Sequence, residues 1–324
     1  MFNRESYLKP TKSSSKAISI LLWADDIITF TPSIQSNKLL AAVIEQHSID
    51  NHYRISLPKT ECIVDNIDTN ELNQIQIYKQ PIKQVQVMRY LGIYFDKNGI
   101  NSQETIKRRN IAAMNSAKRL IWRGCWSETM KVDISMLLIK QVILPSSDYG
   151  LSIIDPEQAN RTGDGTVRML IKRSLQLSPT TNSNYVYWLS GVEPMFIRAL
   201  RANIKLYDKL TRNRALDISH ELVADLIKYP HIKHCKRNFN RKMFFYRTET
   251  YLKQLLKDWQ VGNRLPDEIT MSKIIDKYFE VKCQAALQEP SHRILLNAKP
   301  KPGLDWIKYE RLDRMDWRML IKAM

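Results

Sequence analysis

Two short apolar runs begin the first strongly patterned stretch, residues 17–23 (AISILLW) and 27–30 (IITF), and Ala24-Asp25-Asp26 separates them. Short apolar runs broken by a polar turn predict two buried strands of a hairpin with carboxylates at its tip. Residues 36–53 follow with helical spacing: Leu39, Leu40, Val43, Ile44 and His47 fall on one face, and Ser36 or Asn37 is placed to cap it. Residues 54–65 return to extended character, interrupted at Pro58-Lys59, and 75–99 read as two or three more strands with Asn98-Gly99 as a turn.

After residue 100 the period becomes helical. Residues 102–124 predict a long amphipathic helix ending near Gly124. Residues 133–144 predict a second, capped by Asp133 and stopped by Pro145. Residues 156–177 start with Pro156 in a favourable first-turn position, and Gly163 and Gly165 weaken the middle enough to allow two pieces. Residues 194–210 predict a fourth helix. The fold class expected is therefore α+β, with an α+β part up to about residue 100 and a helical part after it. Residues 1–16 are polar and read as a loose segment, and 213–324 are mixed, basic and rich in aromatic residues.

Composition narrows the function classes. The chain has 324 residues, 44% of them hydrophobic, enough for one or two domains with cores of their own. The first ten residues lack the apolar stretch of a signal peptide, and no apolar run reaches the length of a membrane span, so an intracellular protein with no membrane partner is expected. The four cysteines form no CxxC pair, which argues against a zinc ribbon or a disulfide framework; His231, His234 and Cys235 read as a polar loop after Pro230. Net charge is +17 and lies on one side of the chain: residues 1–100 hold 11 Lys and Arg against 10 Asp and Glu, and residues 101–324 hold 39 against 23. A one-sided basic excess points to a polyanionic partner, nucleic acid above all.

Two adjacent carboxylates between buried strands repel each other and lose solvation, and a hard divalent cation relieves both. Asp25 and Asp26 are thus candidate ligands for Mg²⁺, with Mn²⁺ as a substitute, in two-metal phosphoryl transfer. An exposed Asp-Asp turn is the plain alternative.

The order of the elements resembles the palm and thumb of reverse transcriptases, most of all the non-LTR (LINE-type) retrotransposon branch. WADDIITF is similar to that family's aromatic-Ala-Asp-Asp signature, ISLPKTECIVD to the segment whose lysine lies near the incoming nucleotide, and YLGIYFDKNG to the primer-grip hairpin. IKRRNIAAMNSAKRL and LLIKQVILPSSDYGL resemble the first thumb helices, and residues 177–210 the segment after them. The resemblance covers about residues 17–212. It implies a partial palm at 17–100, a helical thumb at 101–212 and a basic, mostly helical extension at 213–324.

The resemblance also implies roles. Asp25 and Asp26 would be metal ligands, and Lys59 would lie near the triphosphate and protonate the leaving pyrophosphate. Tyr90, Leu91 and Gly92 would hold the primer end. Lys107, Arg108, Arg109, Lys118, Arg119 and Arg123 would grip duplex phosphates. The partners implied are an RNA template and a DNA primer, or an RNA–DNA duplex. Residues 233–257 add eight Lys or Arg and one acid, including Lys236, Arg237, Arg241 and Lys242, interleaved with Phe239, Phe244, Phe245, Tyr246 and Tyr251. That mixture suits single-stranded nucleic acid or, equally, a helical core.

Two departures matter. Trp23 stands where the family has Tyr or Phe. The family's first catalytic aspartate lies upstream on another palm strand, whereas Glu5 is the only acid before Asp25. The expectation is a truncated polymerase, inactive alone, with a separate upstream polymerase fragment as the partner that would complete it. Its rivals are a non-catalytic nucleic-acid-binding remnant and a maturase-like splicing cofactor.

Overall fold

The computed structural model describes residues 20–31, 33–64, 75–127, 130–212, 244–260 and 264–286. The fold is α+β. Its described residues form two compact units, one within 20–101 and one within 102–286.

The first unit is built from small sheets. β1 (Ile20–Trp23) and β2 (Asp26–Thr29) pair antiparallel, Ile20 with Thr29 through Trp23 with Asp26, and the two make a sheet of their own. α1 (Ile34–Asp50) follows, then a 3₁₀ turn at Leu57–Lys59. β3 (Glu61–Cys62) pairs in parallel with β6 (Lys83–Gln84), and β4 (Gln76–Ile77) pairs with β5 (Gln80–Pro81). β7 (Val87–Tyr90), β8 (Ile93–Asp96) and β9 (Gly99–Ile100) form an antiparallel meander.

The apolar face expected for α1 is not the face it buries. Leu39 is 39% exposed and Val43 63%, whereas Ala41 and Ser48 are buried. Ser48 donates to the Glu45 carbonyl and shares a hydrogen bond with the Tyr78 hydroxyl, and the Glu45 carboxylate accepts from the Tyr78 amide. A satisfied polar seam thus holds α1 to the β4–β5 turn, beside Ile75 and Ile77. The cap also differs: it is Ser33, whose hydroxyl accepts from the Ser36 amide.

The second unit is helical. α2 (Ser102–Trp122) is its longest element, at 21 residues, and Gly124 at φ +85° ends it. α3 (Val132–Leu138) runs through a π-helical turn (Ile139–Ile143) into α4 (Leu144–Asp148). Pro145 was expected to stop this helix and does not. A proline inside a helix leaves one carbonyl without its donor, and the wider π turn just before it accommodates the change. Nor does Asp133 cap it, because Lys131 takes the cap position and Asp133 sits in the first turn.

α5 (Pro156–Thr162) is capped by the Asp155 carboxylate, and Gly163 at φ +64° separates it from α6 (Gly165–Ser174). α7 (Ser183–Ser190), α8 (Met195–Arg212), α9 (Phe244–Leu255) and α10 (Glu268–Ala286) are the other helices among the described residues of this unit. Ile139, Leu170, Ile171, Trp188 and Leu200 lie at the centre of its core. Phe244, Phe245 and Tyr251 pack on that core, and Phe245 lies 5.8 Å from Tyr207 between ring centroids. For these three rings the core reading holds.

The core also buries phenols. Burial pushes the Tyr185 hydroxyl up to about 12. Tyr251 also rises to about 12, through burial and then the Asp155 and Glu157 charges. Burial raises Tyr207 and Tyr187 as well, with Glu249 and Asp164 adding to it. A phenol whose pKa rises on folding gives its full stabilisation below the unfolded value near 10 and loses it as pH climbs towards the folded value. The urea midpoint of the full chain should therefore fall as pH rises between about 10 and 12. A level midpoint up to pH 12 would refute this account of the core.

Candidate nucleic-acid interface

In the first unit the candidate residues lie on three separate pieces. Asp25 occupies the two-residue turn of the β1–β2 hairpin, and Asp26 closes it opposite Trp23. Both are exposed. Ala24, the first turn residue, has φ +53°, a region that two-residue hairpins need and glycine or asparagine usually supplies. Ile28 is buried, but Ile27 and Phe30 are substantially exposed, so β2 is less enclosed than the sequence suggested.

Lys59 ends the 3₁₀ turn and is exposed; its amide donates to the Ser56 carbonyl. Tyr90, Leu91 and Gly92 form the β7–β8 turn, where Tyr90 pairs with Ile93 and Leu91 and Gly92 have φ of +46° and +78°. Two consecutive positive φ values are what a tight turn matched to strand twist requires, so backbone geometry alone accounts for Gly92. Gly92→Ala should cost about 1–2 kcal/mol, since a Cβ is disfavoured there, read as a shift in the urea midpoint. An unchanged midpoint would place Gly92 outside the turn's energetics.

A hydrated Mg²⁺ accepts one or two carboxylates and keeps its remaining ligands as water. Asp25 and Asp26 are two exposed carboxylates adjacent in sequence at the hairpin tip. Among the described residues no group of three or more His, Cys, Asp and Glu side chains comes together, so they supply two carboxylates and nothing further towards a two-metal centre. Cys62, Cys125 and Cys283 are free thiols. Burial pushes Cys283 up to about 12 and raises Cys62, so neither is poised to act as a thiolate.

In the second unit α2 carries the candidates on two different faces. Lys107, Lys118 and Arg119 are exposed along with Arg123 just beyond the helix end. Positions 104, 108, 111, 115, 118 and 122 recur at three- and four-residue steps and share one side. On that side Arg108 is paired with Glu104, the only acid of α2, at 2.7 Å. Arg109 is on the other side, half-buried, with its guanidinium 4.1 Å from the centre of the Tyr149 ring. It is a packed cation, worth more to the contact between α2 and the chain after α4 than to a distant phosphate.

Ala113 and Ala117 are fully buried at the back of α2, so close packing fixes the direction of its basic side. The cations are spread over roughly 20 Å of helix axis, at 1.5 Å per residue. The sequence reading did not single out one neighbour of theirs, Trp122, which is 92% exposed. The signal was present, since Trp122 follows Lys118 and Arg119 at the spacing that defines the polar side. Lys236, Arg237, Arg241 and Lys242 lie outside the described residues, as do Phe239, His231, His234 and Cys235.

Among the described residues no helix is long and apolar enough to cross a membrane. No family model, curated protein or solved structure matches the chain.

Proposed function

We propose that this chain holds an RNA–DNA duplex as a palm-and-thumb portion of a non-LTR-type reverse transcriptase, and binds without extending a primer by itself. The observation that carries the proposal is the exposed basic side of α2, where Lys107, Lys118 and Arg119, with Arg123 beyond, line one long element whose single acid is engaged by Arg108. Phosphate contacts of this kind fix register without reading sequence, as a polymerase working on any template requires.

Asp25 and Asp26 would hold Mg²⁺, and the ion would supply charge for phosphoryl transfer. The residues' own part is to hold carboxylate oxygens at an exposed hairpin tip. A further carboxylate would come from outside the described residues.

The test uses the full chain with Mg²⁺ and a DNA primer on an RNA template. We expect duplex binding that weakens steeply with salt, with no primer extension. Extension by the chain alone, abolished in Asp25→Ala, would overturn the non-catalytic part of the proposal. Absence of nucleic-acid binding at low salt would overturn the whole of it. A strong preference for structured intron RNA over the duplex would favour the splicing-cofactor reading instead.

A further inference from the structure

Trp122 and Trp126 are four residues apart and differ in every physical respect. Trp126 is 2% exposed, and its indole N–H donates to the Ser174 hydroxyl at 3.0 Å. That is the ordinary arrangement of a structural tryptophan, with the ring in the core and the polar edge satisfied. Trp122 ends α2 with 92% of its surface in water.

Local structure sets this position. The Arg123 amide donates to the Leu120 carbonyl, the Gly124 amide to Ile121 and the Cys125 amide to Leu120, and Gly124 has φ +85°. The reversal turns the following chain back into the core at Trp126. Trp122 is left on the outer side, at the end of the row that contains Ile111 and Asn115. Around it in sequence stand Lys118, Arg119 and Arg123, all exposed, and α2 offers no acid nearer than Glu104.

A large flat ring held out in water among cations suits one chemistry. A peptide partner would need a broad apolar groove, and the charged neighbours of Trp122 in sequence are cations on both sides, Lys118, Arg119 and Arg123. A nucleobase needs only a π face to lie on and cations for the adjoining phosphates, which is the composition of single-strand binding sites. We infer that Trp122 is a stacking platform for an unpaired base, placed where the strand leaves a duplex held along α2, with Arg119 and Arg123 meeting the flanking phosphates. This rests on the nucleic-acid reading of α2 proposed above, and it adds a junction to a surface that otherwise grips backbone alone.

The two kinds of contact differ in salt dependence. Phosphate neutralisation releases counterions, and stacking does not. The experiment measures affinity of the full chain for a blunt RNA–DNA duplex and for the same duplex with an overhang of about six nucleotides, within the span of one such site. A 2-aminopurine at the first unpaired position reports stacking directly.

For the native chain we expect tighter binding of the overhang duplex and quenching of the 2-aminopurine. Trp122→Ala should lose the overhang advantage, by about 5- to 150-fold, the range for one stacked base. Its salt slope and its affinity for the blunt duplex should stay unchanged, and so should its melting temperature, since the ring is not packed. Trp122→Phe should keep most of the advantage and the quenching. Arg119→Ala/Arg123→Ala should instead make the salt slope shallower.

Equal affinities of Trp122→Ala and the native chain for the overhang duplex would overturn the inference and leave the proposed function standing. An equal loss on both duplexes would also overturn it. If neither duplex binds, the inference and the proposed function fail together.

Discussion

Arg198→Ala should cost the helical unit about 3–5 kcal/mol, the usual consequence of breaking a buried ion pair from one side. Arg198 is on α8, and its side chain is 9% exposed. Its guanidinium donates two parallel bonds to the Asp148 carboxylate, both at 2.9 Å, and one to Asp164 at 2.8 Å. Asp164 is 1% exposed and also accepts from the Tyr187 hydroxyl. Arg198 therefore ties the end of α4 and the start of α6 to α8, and Asp164 links α7 to the same network. Burial acts to lower the guanidinium's proton affinity, but the Asp164 and Asp148 charges outweigh it and raise the pKa.

Without Arg198, Asp164 becomes a buried charge whose ion-pair partner has gone. At 1.4 kcal/mol per factor of ten, the expected loss is a roughly 10²- to 10⁴-fold fall in the ratio of folded to unfolded chain. Arg198→Lys should recover only part of it, because an ammonium cannot reproduce the planar fork between two carboxylates. Arg198→Met/Asp164→Asn removes both charges, while the amide introduced in place of the Asp164 carboxylate keeps an acceptor for Tyr187. The double variant should cost less than the sum of its single changes. Urea unfolding followed by tryptophan fluorescence measures all of these. A loss below about 1 kcal/mol for Arg198→Ala would show that the network contributes little to stability.

This network also marks where sequence reading stops. Asp148, Asp164 and Arg198 are far apart in the chain, and none is flanked by a pattern that announces burial. α2 and α8 were legible because each has one wet side and one dry side, and so a helical period. α7 was not, because Tyr185 through Ser190 are all buried and a helix enclosed on every side has no period to read. The dry face of α1 was misplaced for the opposite reason. Glu45 and Ser48 look like surface residues until Tyr78, distant in sequence, supplies their partner.

Within the candidate interface, the hairpin tip at Asp25 and Asp26 could be read from two apolar runs and a polar break. The division of the α2 cations could not, since neither the stacking of Arg109 on Tyr149 nor the pairing of Arg108 with Glu104 follows from charge alone.

That division sets the expected behaviour of the basic side. Lys107, Lys118, Arg119 and Arg123 are exposed, so replacing all four with Ala removes phosphate contacts while sparing the packing of α2. Each phosphate neutralised on a duplex contributes a slope of about −0.9 in log affinity against log salt. If each of the four meets one phosphate, the slope should become shallower by about 3.6. With the affinity at 1 M salt unchanged, that corresponds to a loss of about 4,000-fold at about 0.1 M. Net charge falls by the same amount when Lys79, Lys209, Lys273 and Lys277, exposed lysines on other elements, are replaced instead. That control variant separates contact from the general field of a basic protein, which attracts any polyanion without touching it at a fixed place. The proposed interface requires the α2 variant to lose far more affinity than the control. Equal losses would mean that nucleic acid is drawn by overall charge and that α2 has no privileged part in holding it.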